Sequence, residues 1–231
     1  MPGVGFSDFR NVSSLLFDLD GTLIDSLPGI RFSIGQAFAA CGRSLPEIDV
    51  RGLLGPPIGS ILQKLGGDIS AEEVQALVRA FRASYDSVGW QRTRHYPGVA
   101  ETLARLKDQR LRLFVVTNKP QHVTRTTLER LGTARLFEEI LSRDSRSPAF
   151  VSKGEMLQYA MARHDILPEA ALMVGDTMED VDAARETGIR VVVVKYGYGT
   201  EHLRPAPNIC AELDDFKQLA MILRKEIDHD R

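Results

Sequence analysis

Apolar positions along this chain fall into two rhythms. Short continuous runs, Ser13–Phe17, Leu111–Val116, Ala171–Val174 and Val191–Val194, each stop abruptly at polar or glycine-rich residues. Runs of this length bounded by turn residues predict buried strands. Between them lie segments of helical period: Val99–Lys107, Val123–Leu131 closed by Gly132, Gly154–Arg163, and Glu179–Thr187 closed by Gly188. Strands that are apolar throughout and alternate with amphipathic helices predict a mostly parallel sheet covered on both faces. The expected class is therefore α/β, a Rossmann-like three-layer core.

Residues 28–93 break the alternation. They carry helical patterns around Ile30–Ala40 and Ala71–Tyr85, the second opened by Ser70 with Glu73 three residues on, a capping-box spacing. No strand pattern separates them, and the loop Leu54–Ser60 (LGPPIGS) reads as rigid and helix-breaking. The expected organisation is an α/β core over 1–27 and 94–231, with a small all-helical domain over 28–93 inserted after the first strand.

Ligands of such sheets bind beyond the carboxyl ends of the strands. That rule gathers Asp18, Asp20, Thr117, Asn118 and Asp176 on one rim, although they are far apart in sequence. Asp18 and Asp20 are two apart, so an extended backbone turns both side chains to one face. An isolated DxD pair is more often a solvated loop end, and Thr-Asn alone is more often a turn. Lys153 is less ordinary: Ser152 and Glu155 read as a cap and an early helical position, which puts the lysine in the first turn, where the helix dipole disfavours a cation. A cation placed against its local preference points to an anionic partner.

Composition narrows the partners. The formal charge of −2 in 231 residues, with no basic block, argues against a nucleic acid polymer. There is neither a secretory leader pattern nor an apolar run of membrane-spanning length, so a cytoplasmic protein without membrane attachment is expected. Cys41 and Cys210, the only cysteines, lack metal or redox spacing and are expected as two buried thiols. The five histidines form no metal-binding motif. His164 is expected as a helix-end partner, and Arg51 as a solvated surface residue, with contact to a substrate carboxylate or phosphate as the alternative.

Four segments taken together, in order, resemble the haloacid dehalogenase-like superfamily: Asp18-Leu19-Asp20-Gly21-Thr22, then Val115-Val116-Thr117-Asn118-Lys119, then Lys153, then Gly175-Asp176-Thr177-Met178-Glu179-Asp180. The resemblance covers nearly the whole chain. It implies a magnesium-dependent phosphatase acting through an aspartyl-phosphate. Asp18 would be nucleophile and metal ligand, and Asp20 general acid and then base, its carbonyl also on the metal. Thr117 and Lys153 would hold the transferring phosphoryl group, with Asn118 supporting the loop or touching substrate. Asp176 would be the acidic metal ligand, and Asp180 a further ligand or an orienting residue.

An acid at position 20 distinguishes the chain from the dehalogenase members, which lack one. The inserted helices are placed like the cap of the phosphoglycolate phosphatase and β-phosphoglucomutase branch, and LGPPIGS is similar to cap loops there. The third motif reads Ser-Lys-Gly-Glu, keeping the lysine but departing from the commoner KPxP form. The expected partner is a small phosphorylated metabolite, such as a phosphoglycolate-like compound, a nucleotide or a sugar phosphate. A monomer or homodimer is expected. A phosphomutase and a non-catalytic phosphometabolite-binding protein remain as alternatives.

Overall fold

A computed structural model describes residues 9–223. Its centre is a six-stranded parallel sheet in the order β5-β4-β1-β6-β7-β8. β1 (Ser14–Phe17) lies in the middle, with its end Phe17 level with Val115 of β4 (Arg112–Thr117) on one side and Val174 of β6 (Ala171–Gly175) on the other. β7 (Arg190–Val194) follows β6, and β5 (Glu139–Ser142) and β8 (Ile209–Leu213) are the edges.

Alternation along each strand sorts the core into two layers. Phe17, Val115, Val174 and Val192 pack with Leu103, Leu106 and Leu219, from α4 (Val99–Asp108) and α8 (Gln218–Ile222). Leu16, Phe114, Val116 and Met173 point the other way, onto Met156, Leu157, Val181 and Ala184 of α6 (Lys153–Arg163) and α7 (Met178–Glu186). Helices on both faces explain why these strands carry no polar face. α5 (Gln121–Arg130) follows β4 directly, and no described helix is long and apolar enough to cross a membrane.

Three helices occupy the interval after β1: α1 (Leu27–Ala40), α2 (Ile58–Gly66) and α3 (Ala71–Tyr85). They enclose their own apolar cluster, including Ile34, Phe38, Leu62, Leu77 and Phe81, which Val123 and Tyr198 of the sheet-bearing part join. The chain enters and leaves them through a short antiparallel ribbon, β2 (Ile24–Asp25) with β3 (Arg94–His95). Ser70 and Glu73 form the expected capping box at α3.

Several local expectations need correction. The edge strands β5 and β8 carry no continuous apolar run, because only part of each is buried. α2 begins inside LGPPIGS: Pro57 is its cap residue, so the helix-breaking reading holds only for the first half of that segment. Both cysteines are half-buried rather than buried, since Cys41 ends α1 and Cys210 sits on the edge strand. His164 does cap the end of α6, where its Nε2 lies 2.7 Å from Glu139.

Candidate active site

The carboxyl ends of β1, β4 and β6 meet at one place, and there the apolar strands give way to buried polar side chains. Asp18 follows Phe17 and is only 5% exposed; Asp176 and Asp180 are wholly inaccessible. Each of these three carboxylates offers an oxygen within 4.8 Å of the other two. Three buried carboxylates at that spacing repel one another, so the cluster requires cations.

One cation is built in. Lys153, 3% exposed at the first position of α6, donates from Nζ to Asp18 Oδ1 at 2.7 Å and to Asp180 Oδ1 at 2.7 Å. Burial alone would lower its pKa, but the carboxylates of Asp18, Asp180 and Glu179 outweigh it and hold it well above the usual lysine range. Ser152 anchors the helix start by accepting from the Glu155 N–H at 3.1 Å. The dipole cost of a lysine here is tenths of a kcal/mol and is small beside two buried ion pairs.

Asp176 and Asp180 are held differently. Asp176 accepts from Thr22 Oγ1 at 3.0 Å, and from the Tyr198 and Gly199 N–H groups at 2.7 and 3.1 Å. Desolvation, reinforced by the Asp180 charge, pushes its carboxyl up to about 6 despite those donors. The backbone closes on it from two sides: a Cβ at Gly21, where φ is +92°, or at Gly197 would collide with the Asp176 side chain. Asp180 turns Oδ2 back to the N–H groups of Asp176 and Thr177 at 3.2 and 3.0 Å, and Thr177 completes a capping box with it. Both Asp180 oxygens are thus committed to the protein.

Asp18 is the exception. Its Oδ1 takes the Lys153 proton donor, whereas Oδ2 has no hydrogen-bond donor among the described residues. Burial raises its carboxyl well above the usual range, the Lys153 charge opposing this only in part. A dication would relieve that desolvation and the mutual repulsion of Asp18, Asp176 and Asp180 together, and an all-oxygen donor set suits a hard ion. The residues therefore fit magnesium.

Asp20 stands nearer solvent, 27% exposed at its side chain, and accepts from Lys119 Nζ at 3.0 and 3.2 Å. Lys119 also donates to Tyr85 Oη at 2.7 Å, joining the end of β4 to α3. Thr117, the last residue of β4, is buried and its Oγ1 accepts the Lys119 N–H at 3.2 Å. Asn118 donates to both Glu179 carboxylate oxygens at 2.8 Å, which ties the β4 loop to α7.

All seven expected residues are drawn together, but three contributors, Lys119, Tyr85 and Tyr198, were missed. Lys119 stood in the quoted segment without a role; its place just beyond a strand end, on the same rim, was the available signal. Tyr85 gave no signal, since it reads as one more apolar position of α3. Arg51 is exposed, as expected, and its Nη2 also donates to the Tyr196 and Gly197 carbonyls at 2.8 and 2.9 Å, pinning the α1–α2 connection to the loop that wraps Asp176. Tyr198 in that loop accepts the Ser26 and Leu27 N–H groups at 2.7 and 3.0 Å, at the start of α1.

The site opens into a cavity of about 450 Å³ between the sheet rim and the three helices. Asp18, Asp20, Thr117, Lys153 and Asp176 form its floor, and Leu54, Pro57, Ile58, Ile61 and Phe81 face them.

Comparison with known proteins gives a consistent picture. The tyrosine-protein kinase PtkA of Mycobacterium tuberculosis is 38% identical over 186 residues, covering 80% of this chain and 62% of its own length, so the chain spans less than two thirds of that relative. The phosphoglycolate phosphatase of Nitrosococcus oceani is 34% identical over 190 residues, covering 80% of this chain and 84% of its own. The crystal structure of a predicted phosphoglycolate phosphatase from Haemophilus somnus superposes with a TM-score of 0.81 at 29% identity, over 93% of this chain and 99% of that one. The family model for haloacid dehalogenase-like hydrolase matches residues 15–194, from β1 to the end of β7, and the chain belongs to that family.

Proposed function

We propose that the protein is a magnesium-dependent phosphatase that hydrolyses a small phosphomonoester through a phosphoryl group carried on Asp18. The observation that carries this reading is the uncommitted Oδ2 of a buried aspartate whose other oxygen is fixed by Lys153. An oriented carboxylate with one free oxygen, facing a cavity and flanked by a buried ammonium, is arranged to attack an electrophile that arrives with negative charge. The phosphoglycolate phosphatases among its relatives, at 34% identity for the Nitrosococcus protein, support the same class.

In this reading Asp18 Oδ2 attacks phosphorus, and the bond from phosphorus to the leaving oxygen breaks. Lys153 and the Thr117 hydroxyl hold the phosphoryl oxygens. Asp20 gives its proton to the leaving oxygen, and Lys119 fixes its direction. Water then attacks the phosphoryl group, Asp20 takes the water's proton, and the Asp18 carboxylate is restored as inorganic phosphate leaves. Asp18, Asp176 and the Asp20 carbonyl would hold magnesium, with Asp180 orienting Lys153 and the Asp176 loop from behind. When bound, the ion supplies charge neutralisation of the phosphoryl group. Asn118 keeps the β4 loop against α7 and reaches the substrate side of the cavity. The helices of 28–93 act as a cap that excludes water during the first step.

A second reading transfers the phosphoryl group from Asp18 to a hydroxyl other than water, as in a mutase or kinase. It is favoured by the name of the mycobacterial relatives, tyrosine-protein kinase, at 38% identity. Inorganic phosphate release separates the two. Release that needs magnesium, stops with EDTA and falls at least roughly a thousandfold in Asp18→Asn supports the phosphatase. Turnover of phosphorylated substrate without net phosphate release supports transfer.

A further inference from the structure

The cavity is far larger than a phosphoryl group needs, and its two halves differ in chemistry. The sheet side is charged and accounted for by the proposed reaction. The opposite side is built from Leu54, Pro56, Pro57, Ile58 and Ile61 around α2, together with the ring of Phe81 on α3. Phe81 and Tyr85 stack with ring centroids 5.3 Å apart and planes 11° from parallel, one turn apart on the same helix. Tyr85 accepts in turn from Lys119, which also donates to Asp20, the residue that would protonate the leaving oxygen.

Arginines lining the cavity are unevenly engaged. Arg143 is occupied by the Phe150 and Val151 carbonyls. Arg82 lines the same cavity, half-buried, next to Phe81 in sequence, and its guanidinium has no carboxylate or carbonyl partner among the described residues. A guanidinium at an apolar wall without a counter-ion is suited to receive an anionic group.

We infer that the substrate is the phosphate ester of a bulky apolar alcohol or phenol that carries a second anionic group at its far end. The ester phosphate sits on Asp18 and Lys153, the apolar body lies against Ile58, Ile61 and Phe81, and the distal anion meets Arg82. A two-carbon carboxylate or a polyhydroxylated sugar leaves that wall unfilled or places hydroxyls against it. A cavity of about 450 Å³ is in the range that holds a ligand with a ring. This inference rests on the phosphoryl-transfer reading of the site and deepens it.

Esters of primary alcohols with closely similar leaving groups test it: ethyl phosphate, 2-phenylethyl phosphate, its para-carboxylate, and phosphoglycolate for comparison. Apolar pockets discriminate by roughly tenfold or more for each methylene-sized group. The expected kcat/KM therefore rises at least about tenfold from ethyl to 2-phenylethyl phosphate and again with the carboxylate. Arg82→Gln should erase the carboxylate's advantage through KM, and Phe81→Ser should erase the ring's. Equal or better turnover of ethyl phosphate or phosphoglycolate overturns the inference and leaves the phosphatase intact. Binding of the same esters to Asp18→Asn protein, read by calorimetry, should follow the same order. If no ester is hydrolysed but that order holds, the phosphatase reading fails and the substrate class stands; an absent order defeats the class.

Discussion

Asp176, proposed above as a metal ligand, would connect protonation to metal binding. Its carboxyl is raised to about 6 by desolvation first and by Asp180 second, so below that pH a proton competes for the oxygen a metal would take. The sign follows directly: the metal favours the ionised form, and affinity must fall as pH drops through about 6. Magnesium affinity measured by calorimetry should fall as pH drops through about 6. A constant affinity between pH 5 and pH 8 would show that Asp176 does not bind the ion. Lys119 makes a separate prediction. Lys119→Met removes the group that orients Asp20 and should lower kcat on the order of a hundredfold, the usual scale of acid–base contributions, while magnesium affinity stays unchanged. Loss of magnesium affinity would instead mean that Lys119 holds the Asp20 backbone in place for the ion. Residues of this kind divide sharply in how readable they are. Asp18, Asp20, Lys153 and Asp176 were legible because four ordered motifs fall at strand ends or helix starts. Tyr85 was not, because its hydroxyl acts across an interface between segments that are adjacent only after folding.

Elements follow the same division. The central strands were legible to within a residue or two, since both faces are buried and the apolar run is continuous, as in Leu113–Val116. β5 and β8 were not: an edge strand half-covered by helices, such as Ile209–Leu213, mixes exposed and buried positions and loses the pattern. Caps were legible wherever they are local, and the Ser70–Glu73 box of α3 is an example. Its loss is a stability question alone. Ser70→Ala removes acceptance of the Glu73 N–H at 3.2 Å and should destabilise the protein by about 1 kcal/mol in chemical denaturation, with kcat unaltered. A matching loss of activity would mean that α3 must be anchored at its start to keep Phe81 and Tyr85 in place. At α7 the capping box is not separable from the site, because Asp180 is both cap and Lys153 partner.

At the scale of the whole molecule, the inserted helices and the sheet meet through a few polar ties around one cavity. Arg51 joins the α1–α2 connection, and Tyr198 the start of the insertion, to the loop around Asp176, and Lys119 joins its last helix to Asp20. That helices fill the interval after β1 was legible from the broken alternation of strand and helix, yet none of their contacts with the sheet was. Periodicity reports which face of a helix is buried and says nothing of what buries it. The account of the molecule depends most on Asp18 carrying the phosphoryl group during turnover. Protein quenched in acid while turning over a phosphomonoester with magnesium, then digested and analysed by mass spectrometry, tests this directly. The account predicts one phosphoryl group on the peptide containing Asp18, absent with EDTA and in Asp18→Asn. Steady phosphate release with that peptide unmodified, and continuing in Asp18→Asn, would contradict it.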